Sequence, residues 1–445
     1  MTSTTITLLD GLPAGAIGKT VADTLRDDGS LNRMHALHAE VFAPCQGCWE
    51  CWVASPGQCK ANDAANGVMR DIMASDAMLW TTEVRYGCWA PVPKAALDRS
   101  IGLISPFFTR IDGETHHRKR YASYPRWAVL GVVDASTTDD ERERFATLVA
   151  RNTLNMHGTL PWVGFVEAGA DKTTIRARVR EALAALAAKA EEGKAPKLTP
   201  RPQRPGGRGV PPKPDGRSRH VVLWVGSAKP KGTSTSESLG GYLVDALVAR
   251  GWTSEAVHVA HTVRIGRDQS PKLVEAVRRA DLVVAATPLY VDALPALVLQ
   301  GLRNLELAAK AEPGPMPAIL PIVQCGFPEA GHNALAVDIL ADAAGRIGMP
   351  WVGHLAMGGG GIIDGMPLKE RGGVVHHQAA ALDAVAARLD EGGTVDEAMG
   401  QEFATPAIPG AAYRAIGQVG WVALALKHGS LLKLWDRPME ERTPT

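Results

Sequence analysis

At 445 residues the chain is two to three times a typical domain of roughly 100–200 residues, which excludes a single small core and predicts at least two domains. Apolar residues at 45% and charged residues at 21% are ordinary globular usage and exclude a largely disordered chain. A net charge of +1 leaves no global basic field for nucleic acid or an anionic membrane, and six cysteines are too few for a disulfide scaffold of this size.

The N-terminus MTSTTITLLDGLP lacks a basic stretch followed by a long apolar one, and no run approaches the ~20 apolar residues of a membrane span, so a soluble, cytoplasmic protein is expected. The run TTITLLDG reads as a first strand. The loop after it, residues 12–20, carries one hydroxyl, Thr20, and puts Asp10 where a bound anion would sit, which disfavours a phosphate there. Pro13 stands where a Walker A loop needs glycine, so the GKT at residues 18–20 is not taken as a nucleotide loop, although residues 129–134 resemble a Walker B strand.

A second strand, MHALHAEVF, runs into Cys45-x2-Cys48-x2-Cys51-x7-Cys59. Three cysteines at successive x2 spacing can wrap one cubane, with the fourth ligand arriving from farther along. Zinc, a redox-active Cys48-x2-Cys51 pair, and buried thiols without a role remain alternatives. Trp49, Trp52 and Trp89 would suit either a dry shell around a cluster or an ordinary core.

Further strands are expected at DAMLWTTEV, RWAVLGVVDAS and TLPWVGFVEA, with helical patterns between them. The segment 109–125 looks like an insertion after the third strand. Its His116, His117, Arg118, Lys119 and Arg120 suit a proton donor or a pyridine-nucleotide phosphate, or simply a solvated or dimerising basic flap. Residues 194–219 contain seven Pro, four Gly, eight Lys/Arg and one acid, and read as a Pro/Arg-rich linker.

Beyond it the alternation repeats with HVVLWVGS, SEAVHVA, DLVVAATPLY, PAILPIVQC and WVGHLAM. Apolar, β-branched strands between helices predict a parallel sheet covered on both faces, a doubly wound α/β fold in each half. Leu160-Pro-Trp-Val-Gly164 parallels Met349-Pro-Trp-Val-Gly353, and Tyr86 precedes Pro91 by the five residues that separate Tyr290 from Pro295, so the halves read as repeats. Expected boundaries are 1–192 for the first domain, 193–219 for the linker, 220–402 for the second domain and 403–445 for a helical extension.

The first loop of the second half, SAKPKGTSTS, is hydroxyl-rich and enters a helix. Free N–H groups, the helix dipole and Ser/Thr donors together suit a phosphate monoester. In an open α/β sheet, ligands bind beyond the carboxyl ends of the strands, which adds residues 287–295 and 324–329. The glycine run at 358–361 reads as a flexible turn, with close approach of a cofactor as the alternative, and His376/His377 as part of a helix face. The tail at 411–434 reads as an amphipathic helix docking on its own domain or on a twin subunit rather than on a membrane.

On these residues, 221 to about 364 resembles the NAD(P)H-dependent FMN reductase and flavodoxin-like oxidoreductase families. The resemblance implies FMN, with its phosphate at Ser227, Thr233, Ser234, Thr235 and Ser236 and its ring among Pro288, Leu289, Tyr290, Val291, Cys325, Gly326 and Phe327. The first half, through its cysteine run and residues 34–127, resembles iron–sulfur flavoproteins and flavodoxin-family NAD(P)H oxidoreductases. That implies strand order 2-1-3-4-5 in each half and a [4Fe–4S] cluster on Cys45, Cys48, Cys51 and Cys59. The combined expectation is an enzyme passing electrons between FMN and that cluster, with NAD(P)H as possible co-substrate and a small-molecule or protein acceptor. The alternatives are an NAD(P)H:acceptor (quinone, nitro or FMN) reductase without a cluster and a non-catalytic electron-transfer partner; a homodimer is possible, and no catalytic residue is nominated.

Overall fold

Strands β1 (Ile6–Asp10), β2 (Leu31–Ala36), β3 (Ala77–Arg85), β4 (Cys88–Trp89), β5 (Ile104–Ile111), β6 (Glu114–Lys119), β7 (Arg126–Val133) and β8 (Thr159–Glu167) belong to the first half. The second half supplies β9 (His220–Val225), β10 (Thr253–His258), β11 (Leu282–Pro288), β12 (Ala318–Gln324) and β13 (Leu355–Met357). The computed structural model describes residues 4–40, 42–188, 195–204, 209–211 and 216–440. It divides into two units: Met1–Cys45, Trp49–Lys197 and Gly417–Thr445 form the first, and Gln46–Cys48 with Leu198–Ile416 the second.

In the first unit the parallel order is β2-β1-β3-β7-β8, and in the second it is β10-β9-β11-β12-β13. Both are the 2-1-3-4-5 order of doubly wound flavodoxin-like sheets, with helices on both faces. The apolar runs explain why: β1, β11 and β12 are buried along their whole length, as strands covered on both sides must be. Side chains of β1, β3 and β7 pack against the helices Ala16–Asp27 and Lys172–Ala187 in the first unit. Those of β9, β11 and β12 pack against Thr235–Val248 and His376–Asp390 in the second.

The expected insertion is wider than residues 109–125. It begins at the antiparallel pairing of β4 on β3 and includes the β5–β6 hairpin, separate from the main sheet. The second strand of the first half lies at Leu31–Ala36, earlier than the apolar run at 34–42. The two Pro-Trp-Val-Gly segments also differ: the first lies inside β8, whereas Trp351 makes only an isolated parallel bridge to Ile319 before β13.

Residues 189–194, 205–208 and 212–215 of the expected boundary and linker lie outside the described residues. Much of the remainder is bonded within the second unit. Arg201 pairs with Asp338 at 2.7 Å, the Gln203 side chain donates to the His354 carbonyl at 2.8 Å, and Arg219 stacks on the Trp252 ring at 4.3 Å. No helix of the described residues is long and apolar enough to cross a membrane.

Candidate functional site

Four loops at the carboxyl ends of β9, β11, β12 and β13 meet in the second unit. The first enters the helix Thr235–Val248, whose N-cap Ser234 accepts a 3.1 Å hydrogen bond from the Glu237 amide. The nominated hydroxyls divide by what they already do. Thr233 donates to the Pro230 carbonyl at 2.6 Å and Thr235 to the Gly360 carbonyl at 3.0 Å, so their protons are committed to the fold. Ser227, Ser234 and Ser236 instead accept, from the Lys229 amide, the Glu237 amide and the Gln324 side chain, which leaves each O–H to donate. Those three hydroxyls and the first turn of the helix are donors of the kind that an anion such as a phosphate requires. The Glu237 carboxylate accepts from the Gly232 amide at 2.7 Å and pairs with His258 at 2.9 Å, fixing the outer side of the loop.

The loop after β11 is strained where it leaves the sheet. Leu289 N–H bonds to the Gln324 carbonyl at 2.8 Å, Tyr290 N–H bonds to the Ala293 carbonyl at 2.8 Å, and between them Val291 and Asp292 hold φ of 50° and 56°. A β-branched residue in the left-handed region is costly, and such strain clusters at ligand sites. His332, fully buried, places Nδ1 3.4 Å from Asp292 and Nε2 3.6 Å from Glu329, and Phe327 packs on its ring at 4.8 Å. Pro288 is buried, while Leu289, Tyr290 and Val291 are half-buried at the loop face.

Cys325 is buried within the loop after β12. Its thiol lies 3.3 Å from the Phe327 carbonyl and 3.7 Å from Asn333 Nδ2, and burial pushes its pKa up to about 12. It is a protonated structural anchor of the turn that presents Gly326. The glycine run at 358–361 serves close approach rather than flexibility, because a side chain at Gly360 would collide with the Gln324 amide. Gly365, at φ 72°, likewise passes directly over the Thr233 carbonyl. These glycines lay the fourth loop against the first and third.

Sequence reasoning missed Tyr413. Its hydroxyl donates to the Gly326 carbonyl at 2.7 Å and its ring packs at Gly359, so a residue from the tail ties two of the loops together. Burial raises its pKa and keeps the hydroxyl a donor. Arg414, one residue on, lies 3.8 Å from Glu329. No local motif marks either residue, since the contact depends on where the tail helix docks.

In the first unit the corresponding loop is built around an internal anion. Asp10 Oδ1 accepts from Thr81 Oγ1 at 2.6 Å and from the Leu12 amide at 3.2 Å, and Gly18 is spared a side chain that would strike this carboxylate. Burial raises the Asp10 pKa, and a phosphate placed beside this carboxyl would meet charge repulsion whenever it is ionised.

The four clustered cysteines do not converge. Among the described residues no group of three or more His, Cys, Asp or Glu side chains could hold a metal ion. Trp49, at φ 62°, turns the chain into the short helix Glu50–Val53, which buries Cys51 against Gly102 while Cys48 stays exposed. Cys59 is fixed separately by paired 2.9 Å hydrogen bonds between its backbone and the Asn66 amide. As placed, Cys45, Cys48, Cys51 and Cys59 do not fit a cubane, and no electron path is derived through them. Trp49 and Trp52 stack at 4.8 Å with Trp421 edge-on to Trp52 at 5.3 Å, an aromatic core rather than a cluster shell.

The basic hairpin is exposed only in part: Arg118 and Lys119 face solvent, whereas its histidines and Arg120 are bonded into the fold. His116 is buried with Nδ1 3.0 Å from Asn155, and His117 bonds to the Pro106 carbonyl with its pKa pushed down to about 3 by burial. Arg118 donates to the Phe108 carbonyl and Arg120 to those of Gly102, Leu434 and Asp436. His377 pairs with Glu402 at 2.6 Å, a contact on its helix face.

No protein-family model and no curated protein matches the sequence. Solved structures do resemble parts of it. The azoreductase from Bacillus anthracis str. Sterne is 16% identical, covering 39% of this chain and 99% of its own, with a TM-score of 0.29. General stress protein 14 from Treponema denticola, in complex with FMN, is 14% identical over 41% of this chain and 97% of its own, with a TM-score of 0.27. The NAD(P)H:quinone oxidoreductase from Methanothermobacter marburgensis is 16% identical over 39% and 95%, with a TM-score of 0.28.

Proposed function

We propose that the protein is an FMN-dependent oxidoreductase, NAD(P)H-linked, that reduces a small-molecule acceptor of the quinone or nitro class, with FMN carried by the second unit. The observation supporting this most strongly is the phosphate cradle at the helix Thr235–Val248, where Ser227, Ser234 and Ser236 each accept within the fold and keep an O–H to donate. Their donors and the helix dipole would hold the phosphate, while Leu289–Val291 and Gly326–Phe327 would border the ring. When bound, FMN supplies two-electron hydride chemistry and single-electron release. The chain's own part is orientation: the strained Val291–Asp292 turn and the Tyr413–Gly326 hydrogen bond fix the two ring-side loops. The cysteine run has no role in this proposal.

The test is the absorbance of the untreated protein together with FMN titration of protein stripped of flavin. A flavin spectrum, tight FMN rebinding and NAD(P)H consumption with a quinone acceptor are expected. Protein that neither carries nor rebinds FMN overturns the reading; FMN binding without NAD(P)H turnover leaves an electron-transfer partner instead.

A further inference from the structure

Within the first unit, the β5–β6 hairpin and the tail residues from Gly417 onward border a groove of about 510 Å³, a volume ordinary for a small-molecule site. Phe107, Arg118, Gln418, Val419, Val422 and Trp435 line it. Its apolar wall is open to water. Trp435 is 63% exposed and lies nearly parallel to the Phe107 ring, with 6.1 Å between centroids, and Val419 and Val422 beside them are 69% and 38% exposed.

The exposed tryptophan stands on fixed backbone. Leu434 before it is buried, and the buried guanidinium of Arg120 donates from Nη1 to the carbonyls on either side of Trp435, that of Leu434 at 3.1 Å and that of Asp436 at 3.0 Å. A large aromatic held in water on an anchored main chain is preorganised for a contact that the chain itself does not supply.

The polar part of the lining is all donor. Both ends of the Gln418 amide are engaged by the Phe108 backbone, at 3.1 and 3.2 Å. Arg118 donates through Nε to the Phe108 carbonyl at 3.0 Å, which orients its guanidinium, and among the described residues it forms no ion pair, so both Nη groups remain to donate. The indole N–H of Trp435 likewise has no partner among the described residues. No acid lines the groove, so its one charge is positive and sits beside the two rings.

We propose that this groove is a binding site for a planar aromatic carboxylate, whose ring lies along Phe107 and Trp435 and whose carboxylate takes the two Nη groups of Arg118. The guanidinium fork matches a carboxylate in a bidentate pair, and offset ring stacking suits a flat ligand. A neutral aromatic would leave the charge uncompensated and an aliphatic acid would forgo the ring contacts, so the two features select together. The site is independent of whether the second unit carries FMN.

Calorimetric titration of the full chain with naphthoate, and with naphthylmethanol as its neutral counterpart, tests this. The wild type is expected to bind naphthoate saturably and about tenfold more tightly than the alcohol. Arg118→Gln is expected to abolish that preference, and Trp435→Ala to weaken both probes, with melting temperatures unchanged. Should Arg118→Gln fail to fold, Arg118→Lys, which keeps the charge and loses the fork, is expected to bind naphthoate several-fold more weakly than the wild type; equal affinity there overturns the proposal. So does the absence of saturable binding at millimolar naphthoate, equal binding of the two probes by the wild type, or a preference that survives in Arg118→Gln. A concentration-dependent dimer from which naphthoate is excluded would assign the groove to a second copy and overturn it as well.

Discussion

Tyr413 reaches back 87 residues to donate a 2.7 Å hydrogen bond to the Gly326 carbonyl, joining the tail helix to the loop after β12. The bond lies outside the second sheet and holds two loops that border the proposed ring site. Replacing the tyrosine by phenylalanine keeps the packing on Gly359 and removes only the donor. A hydrogen bond of this kind is worth about 1 kcal/mol net, so Tyr413→Phe is expected to weaken FMN binding roughly five- to tenfold. Flavin fluorescence titration measures this, and unchanged affinity would assign Tyr413 to stability alone.

The phosphate loop separates two kinds of hydroxyl. Ser236→Ala removes an O–H that the fold does not use as a donor together with the long 3.4 Å bond it accepts from the Gln324 side chain, so it should lower FMN affinity at a smaller cost in melting temperature than loss of the helix cap. Ser234→Ala also removes the N-cap and should cost about 1 kcal/mol of stability as well. Thermal melts and FMN titration of the two variants distinguish them.

Asp10 and Gly18 form a steric couple in the first unit. Gly18→Ala is expected to destabilise that unit by about 1–3 kcal/mol, as overpacking does. In an Asp10→Ala background the same change should cost almost nothing, because the carboxylate it strikes has gone. Denaturant unfolding of the two single variants and the double variant gives the coupling energy.

Buried neutral histidines set an acid limit. His117 is held down to about 3 and His157 to about 4 by burial, both below the ordinary value near 6.5. The unfolded chain therefore binds more protons across that interval, so their contribution to stability is complete above pH 6.5 and declines as pH falls toward these values. His157→Gln should flatten the acid limb of a stability-versus-pH curve; an unchanged limb would show that this histidine does not titrate on unfolding.

Thiol reactivity should sort by burial. Cys48 is exposed, whereas Cys88 and Cys325 are buried with pKa values near 12. Iodoacetamide at mildly alkaline pH is expected to label Cys48 in the native protein and to reach Cys88 and Cys325 only after unfolding, as read by peptide mass spectrometry. Native labelling of Cys325 would place that thiol at the open face of the loop instead.

The local pattern of the chain was enough for the repeated α/β architecture, the order of its strands through family resemblance, and the hydroxyl loop before Thr235–Val248. Those features arise from neighbours in sequence: apolar β-branched runs make strands buried on both faces, and a Ser/Thr cluster before an apolar helix makes a capped N-terminus. Tertiary structure alone decided which distant groups meet. It turned Cys51 inward and left Cys48 outside, drew His116 and His117 into a core, and brought Tyr413 to Gly326. Spacing shows what a segment can present, but convergence and facing are set by packing between segments far apart in the chain, where burial and hydrogen-bond satisfaction outweigh local pattern.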